Sequence, residues 1–140
     1  MDKKRLCRLI DEGREELFEL LCKLIRIDSQ SFNSWGKERE LAEYLHGLAQ
    51  QMGLESDLYS PLELEDFTEA GDYFPGRGLE DRLNVTMRLR GESEEPGLML
   101  MAHTDTVEVG DPANWTVDPL GGTIKDGKIY GRGRSEGAHV

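Results

Sequence analysis

Apolar residues return at helical intervals through the first part of the chain. Leu6, Leu9 and Ile10, then Leu17, Phe18, Leu21, Leu24 and Ile25 fall on one stripe, because side chains at i, i+3, i+4 and i+7 share a helix face. The pattern predicts helix over residues 2–27, either continuous or broken near Gly13. Asp28-Ser29-Gln30-Ser31 ends it, since such side chains bond the nearby backbone in competition with helix. A second helix is predicted over 37–52, with Leu41, Tyr44, Leu45, Leu48 and Met52 on one face. Ser34 is its expected N-cap. Gly53 is its expected C′ residue, where a left-handed backbone costs glycine nothing. His46, among polar neighbours on this helix, is expected at the surface.

Past Gly53 the pattern turns strand-like. A short strand over 54–59 leads into a loop over 60–82 rich in Glu, Gly and Pro, a length that usually carries function or mobility. Two strands follow, over 84–90 and 98–103, joined by GESEEPG. The turn-like join predicts an antiparallel hairpin. The unbroken run Leu98-Met99-Leu100-Met101 predicts a strand covered on both faces. Asp126-Gly127, flanked by Thr123-Ile124 and Ile129-Tyr130, predicts a second hairpin. Helices and strands mixed in this way give an α/β fold class. The chain shows no internal repeat and no low-complexity tract.

Composition narrows the function. A chain of 140 residues with 37% hydrophobic content can build one ordinary core. A net charge of −11 argues against a nucleic-acid surface, which must neutralise phosphates. Residues 53–96 concentrate twelve carboxylates against four arginines, a solvated acidic stretch and not an ion site. Cys7 and Cys22 lack CxxC spacing and sit in helical patterns, so both are expected as buried, reduced thiols of a cytoplasmic protein. The N-terminal residues have a basic start but no apolar run of signal-peptide length, and no segment approaches a membrane span.

Candidate chemistry centres on residues 98–133. His103 and Asp105 stand two apart at the end of the predicted strand, so both side chains point the same way. That pairing suits a metal-binding imidazole oriented by a carboxylate. Trp115, taken alone, is a core or loop-anchoring residue. Gly131-Arg132-Gly133 begins like a phosphate loop, but the next glycine is Gly137, which breaks G-x-G-x-x-G.

The order HTDTV, Trp115, Asp118-Pro119, then Gly122, Ile124, Asp126-Gly127-Lys128, Tyr130 and Gly131-Arg132-Gly133 resembles a zinc metallohydrolase family. That family includes acetylornithine deacetylase, succinyl-diaminopimelate desuccinylase, aminoacylase and carboxypeptidase G. The likeness extends upstream to the turn over 27–31, to GKERELAEYL and to Asn84-Val85. It implies a three-layer α/β/α catalytic domain of zinc-aminopeptidase type. Residues 1–140 would form the amino-terminal part of that domain, without the lid domain. It implies His103 as a ligand to one of two zinc ions, with cobalt as an alternative metal. Asp105 would lie behind it, accepting the other ring N–H.

The family continues GRGxxDMKGG, where the aspartate bridges both metals; here Glu136 stands at that place. Its extra methylene strains a bridge with metal–oxygen bonds of about 2.0–2.2 Å. The family's downstream Glu-Glu pair and its last ligands have no match. Glu94-Glu95 precedes His103 beside Pro96 and is not that pair, and His139 has no family counterpart. The implied activity is amide hydrolysis of N-acyl amino acids or small peptides. A homodimer is implied for the full-length form, with neither nucleic acid nor membrane as partner. The chain alone is expected to be a truncated, inactive piece. The competing expectation is a non-catalytic fragment that pairs with a partner chain through an exposed sheet edge.

Overall fold

Glycine at position 13 breaks the first helical stripe in two. In the computed structural model, which describes residues 2–71, 73–76, 78–93 and 97–133, α1 spans Lys3–Glu12 and α2 spans Arg14–Arg26. The chain divides into two units, one of residues 1–27 with 109–140 and one of residues 28–108.

In the first unit, Asp2 caps α1, its carboxylate accepting from the Lys4 backbone N–H. None of α1's residues is buried, so Cys7 is an exposed thiol, contrary to expectation; Cys22 on α2 is buried as expected. A helical stripe states which side chains share a face, but not whether anything covers it. The buried side of α2 carries Cys22 and Ile25, and Arg26 Nε donates to the Gly121 carbonyl at 3.0 Å. Strands β3 (Thr123–Lys125) and β4 (Lys128–Tyr130) form the expected hairpin. Asp126 and Gly127 both have positive φ, 52° and 70°, as a two-residue hairpin turn of matching twist requires. Trp115 anchors the preceding loop. Its Nε1 donates to the Val109 carbonyl at 2.8 Å, and the Arg132 guanidinium lies 4.7 Å from its ring centre.

The second unit is built on α3 (Glu38–Gln51), which packs against β1 (Glu55–Tyr59) and β2 (Asn84–Arg88). The two strands pair antiparallel, with Glu55 opposite Arg88 and Tyr59 opposite Asn84. Leu41, Ala42 and Ala49 are the buried apolar residues of the helix, while Met52, expected on the apolar face, is exposed. The helix ends as its sequence requires. Gly53 has φ 72°, its N–H bonds the Gln50 carbonyl, and the Leu54 N–H bonds Ala49 at 2.9 Å, which together form a Schellman closure. Ser34 does not cap the helix. Residues 31–36 fold first into their own turn, with Ser31 bridged to Gly36 and Phe32 N–H bonded to the Trp35 carbonyl. Lys37 then takes the N-cap position without a side-chain cap.

His46 is half-buried instead of free at the surface, because its partner comes from β1: Nδ1 lies 2.9 Å from Ser56 Oγ. Among the described residues of the connection over 60–82 are two short 3₁₀ turns, Pro61–Glu63 and Phe67–Glu69; the first is closed by a capping box between Ser60 and Glu63.

The largest correction concerns residues 98–103. They form no strand, and Leu98, Met99, Leu100 and Met101 are between 78% and 91% exposed. Extended backbone has no hydrogen bonds of its own and takes them from a neighbour. Strand β2 has paired with β1 instead, and among the described residues no strand pairs with 98–103. The molecule is mixed α/β, with two two-stranded antiparallel sheets among the described residues. No helix among those residues is long and apolar enough to cross a membrane.

Candidate metal centre

His103 and Asp105 meet although the strand expected to carry them is absent. His103 Nδ1 lies 2.8 Å from the Asp105 backbone carbonyl and 3.2 Å from its Oδ1. Both oxygens are acceptors, so the neutral ring carries its proton on Nδ1 and keeps a lone pair on Nε2. The imidazole is 84% exposed and the carboxylate 41%, so a solvent ion has access to Nε2.

A backbone clamp holds the segment just after the pair. The Ser31 N–H donates to the Thr106 carbonyl at 2.8 Å, and the Thr106 N–H donates to Ser29 at 3.0 Å. This isolated parallel bridge joins the turn over 28–31 to the HTDT segment. The turn is firm. Ser29 and Gln30 are buried, Asp28 Oδ1 accepts from the Gln30 backbone and side chain, and Lys37 Nζ pairs with Asp28 Oδ2. Sequence reasoning found Asp28-Ser29-Gln30-Ser31 as a helix terminator but missed its grip on Thr106. No local spacing signals a bridge between segments so distant in the chain.

The donor chemistry fits one position of a metal shell. An Nδ1–H imidazole offers Nε2 to a divalent ion, and a carboxylate behind it is the usual support. The shell is not completed among the described residues, where no group of three His, Cys, Asp or Glu side chains converges. Glu136, expected as the second ligand, lies outside the described residues, as do His139 and Glu94-Glu95.

No family model matches the chain. Individual proteins do. An uncharacterized metallohydrolase of Methanocaldococcus jannaschii is 36% identical over 123 residues, 87% of this chain and 28% of its own length. A succinyl-diaminopimelate desuccinylase of Rhodospirillum centenum is 44% identical over 62 residues, 44% of this chain and 15% of its own. A desuccinylase of Parvibaculum lavamentivorans is 41% identical over 63 residues, 45% of this chain and 15% of its own. These matches support a kinship with metallohydrolases and desuccinylases. It spans less than a third of the length of each of these relatives. This likeness gives the His103–Asp105 contact a context that an H-x-D pair alone lacks.

Proposed function

We propose that the chain supplies part of the catalytic domain of a metal-dependent amidohydrolase, one that removes acyl groups from N-acyl amino acids or cleaves small peptides. The observation that carries this reading is the His103–Asp105 contact, in a chain whose relatives are a desuccinylase and a metallohydrolase. His103 is the proposed ligand through Nε2. Asp105 fixes the tautomer and raises the ring's basicity without touching the metal. Glu136 is the proposed second ligand and zinc the proposed metal, with cobalt able to replace it. The proposed architecture is the three-layer α/β/α domain, of which residues 1–140 form the amino-terminal part, working in the cytoplasm. A bound metal would supply a water of lowered pKa and a polarised carbonyl.

Titration calorimetry with zinc tests the assignment. Binding by the isolated chain is expected to be weak, since among the described residues no third ligand joins the pair. His103→Ala should abolish it, and Asp105→Asn should weaken it roughly 10- to 100-fold. Equal affinity in His103→Ala and the parent chain would remove the ligand assignment. Turnover of N-acetylated or N-succinylated amino acids by the chain alone is expected to be absent.

One observation favours a second reading. Leu98, Met99, Leu100 and Met101 are exposed, and among the described residues β2 is paired along one edge, with β1. Such a surface suits association with a partner chain. Sedimentation of a Met99→Lys, Met101→Lys variant tests it: association in the parent that the variant abolishes supports it, and a monomeric parent rejects it.

A further inference from the structure

We infer that Arg82, held in place by Glu38, is a positioning residue for the His103–Asp105 pair; this rests on the metal-site reading above and names what keeps that site in shape. Glu38 opens α3 with its side chain 5% exposed, and the Arg82 side chain is 14% exposed. Arg82 Nη2 donates both to Glu38 Oε1, at 2.5 Å, and to Ser31 Oγ, at 2.7 Å. An arginine–carboxylate pair built for its own strength is bidentate. This one is not. One guanidinium nitrogen is shared between the carboxylate and Ser31, while Arg82 Nη1 and Glu38 Oε2 are buried without a hydrogen-bond partner among the described residues.

Buried charges with unmet hydrogen-bonding capacity are poor stabilisers. What the arrangement achieves is reach: it brings a fixed cation onto the hydroxyl of Ser31. Gly36 makes room for it, because a Cβ there would lie 2.0 Å from Glu38 Oε2. From Ser31 the chain of contacts runs on without a gap. The Ser31 backbone holds the Thr106 carbonyl, Thr106 follows Asp105, and Asp105 presents both oxygens to His103 Nδ1. Every link lies within the unit of residues 28–108. Glu38, Arg82 and Ser31 reach His103 through Thr106 and Asp105. Their effect is on which ring nitrogen of His103 carries the proton.

That proton can be read directly, without metal. In the full chain labelled with ¹⁵N, two-bond ¹H–¹⁵N correlation at about pH 8.5 reports the tautomer of a neutral imidazole. Loss of signals in His103→Gln assigns the ring. The parent should show mainly the Nδ1–H form. Ser31→Ala leaves the Glu38–Arg82 pair intact and removes only the hydroxyl. It should shift the tautomer ratio toward Nε2–H by roughly fivefold, as Arg82→Met should. Ser31→Thr keeps a hydroxyl and should keep the ratio. Arg39→Ala removes an exposed arginine paired to Asp81 and Glu43, and should also leave the ratio unchanged.

A folded Ser31→Ala chain with the parent's ratio overturns the inference, and it decides the matter even if Arg82→Met does not fold. The zinc titration is a separate readout. A shifted tautomer with no zinc binding would sink the metal reading and leave the positioning role standing. Binding dependent on His103, with an unmoved tautomer in Ser31→Ala, would do the reverse.

Discussion

Lys37 Nζ stands 2.5 Å from Asp28 Oδ2 and ties the residue before α3 to the first residue of the turn that clamps Thr106. Partial burial pushes the Asp28 carboxyl upward. The hydrogen bonds from the Lys37 and Gln30 side chains and the Gln30 backbone, with the Lys37 charge, outweigh it and hold the pKa below the ordinary 3.8. A carboxyl lowered on folding stabilises the protein above its unfolded value, and that stability is lost as pH falls through the folded value. Asp28→Asn should therefore cost about 1 kcal/mol near neutral pH and almost nothing in strong acid. Urea unfolding of both chains, at about pH 7 and again well below the carboxylate range, checks this; a cost independent of pH would contradict it.

His46 joins α3 to β1. Gln50 Nε2 lies 2.9 Å from His46 Nε2, so that nitrogen accepts and Nδ1 donates to Ser56 Oγ. Ser56→Ala and His46→Ala should each cost about 1 kcal/mol, and the double variant should cost less than their sum. Strict additivity in the unfolding free energies would show that the bond contributes nothing.

Gly53 is the residue that lets α3 close and the chain turn into β1. Ala at φ 72° pays the left-handed penalty, so Gly53→Ala should lower stability by about 1–2 kcal/mol. Amide exchange in the last turn of α3 should quicken by more than in its first turn. An unchanged unfolding midpoint would contradict a closure that depends on Gly53.

What the sequence made legible was what local spacing decides. The span of α3, its glycine stop and the Asp126-Gly127 hairpin all follow from periodicity and backbone preference acting within a few residues, whereas the stripe over 2–27 left open whether Gly13 breaks it. What it hid depends on distant partners. The run Leu98-Met99-Leu100-Met101 reads as doubly covered, but coverage belongs to neighbours, and β2 took β1 as its own. His46 reads as solvent-facing until Ser56 arrives from the next strand. The candidate site divides the same way. The His103–Asp105 contact was readable from two residues, whereas Glu38 and Arg82 are ordinary charges in a charged chain until the fold buries them together. Glu136 lies outside the described residues.

The parallel bridge from Gln30 to Thr106 has a consequence for how the protein assembles. Its two halves come from opposite ends of their unit, so no short-range event brings them together, and closing so long a loop is entropically slow. Helix α3 and its glycine stop can nucleate early from contacts between near neighbours. The imidazole and its carboxylate lie beside a contact that must wait for the whole unit to gather. The surroundings of that pair are therefore completed last.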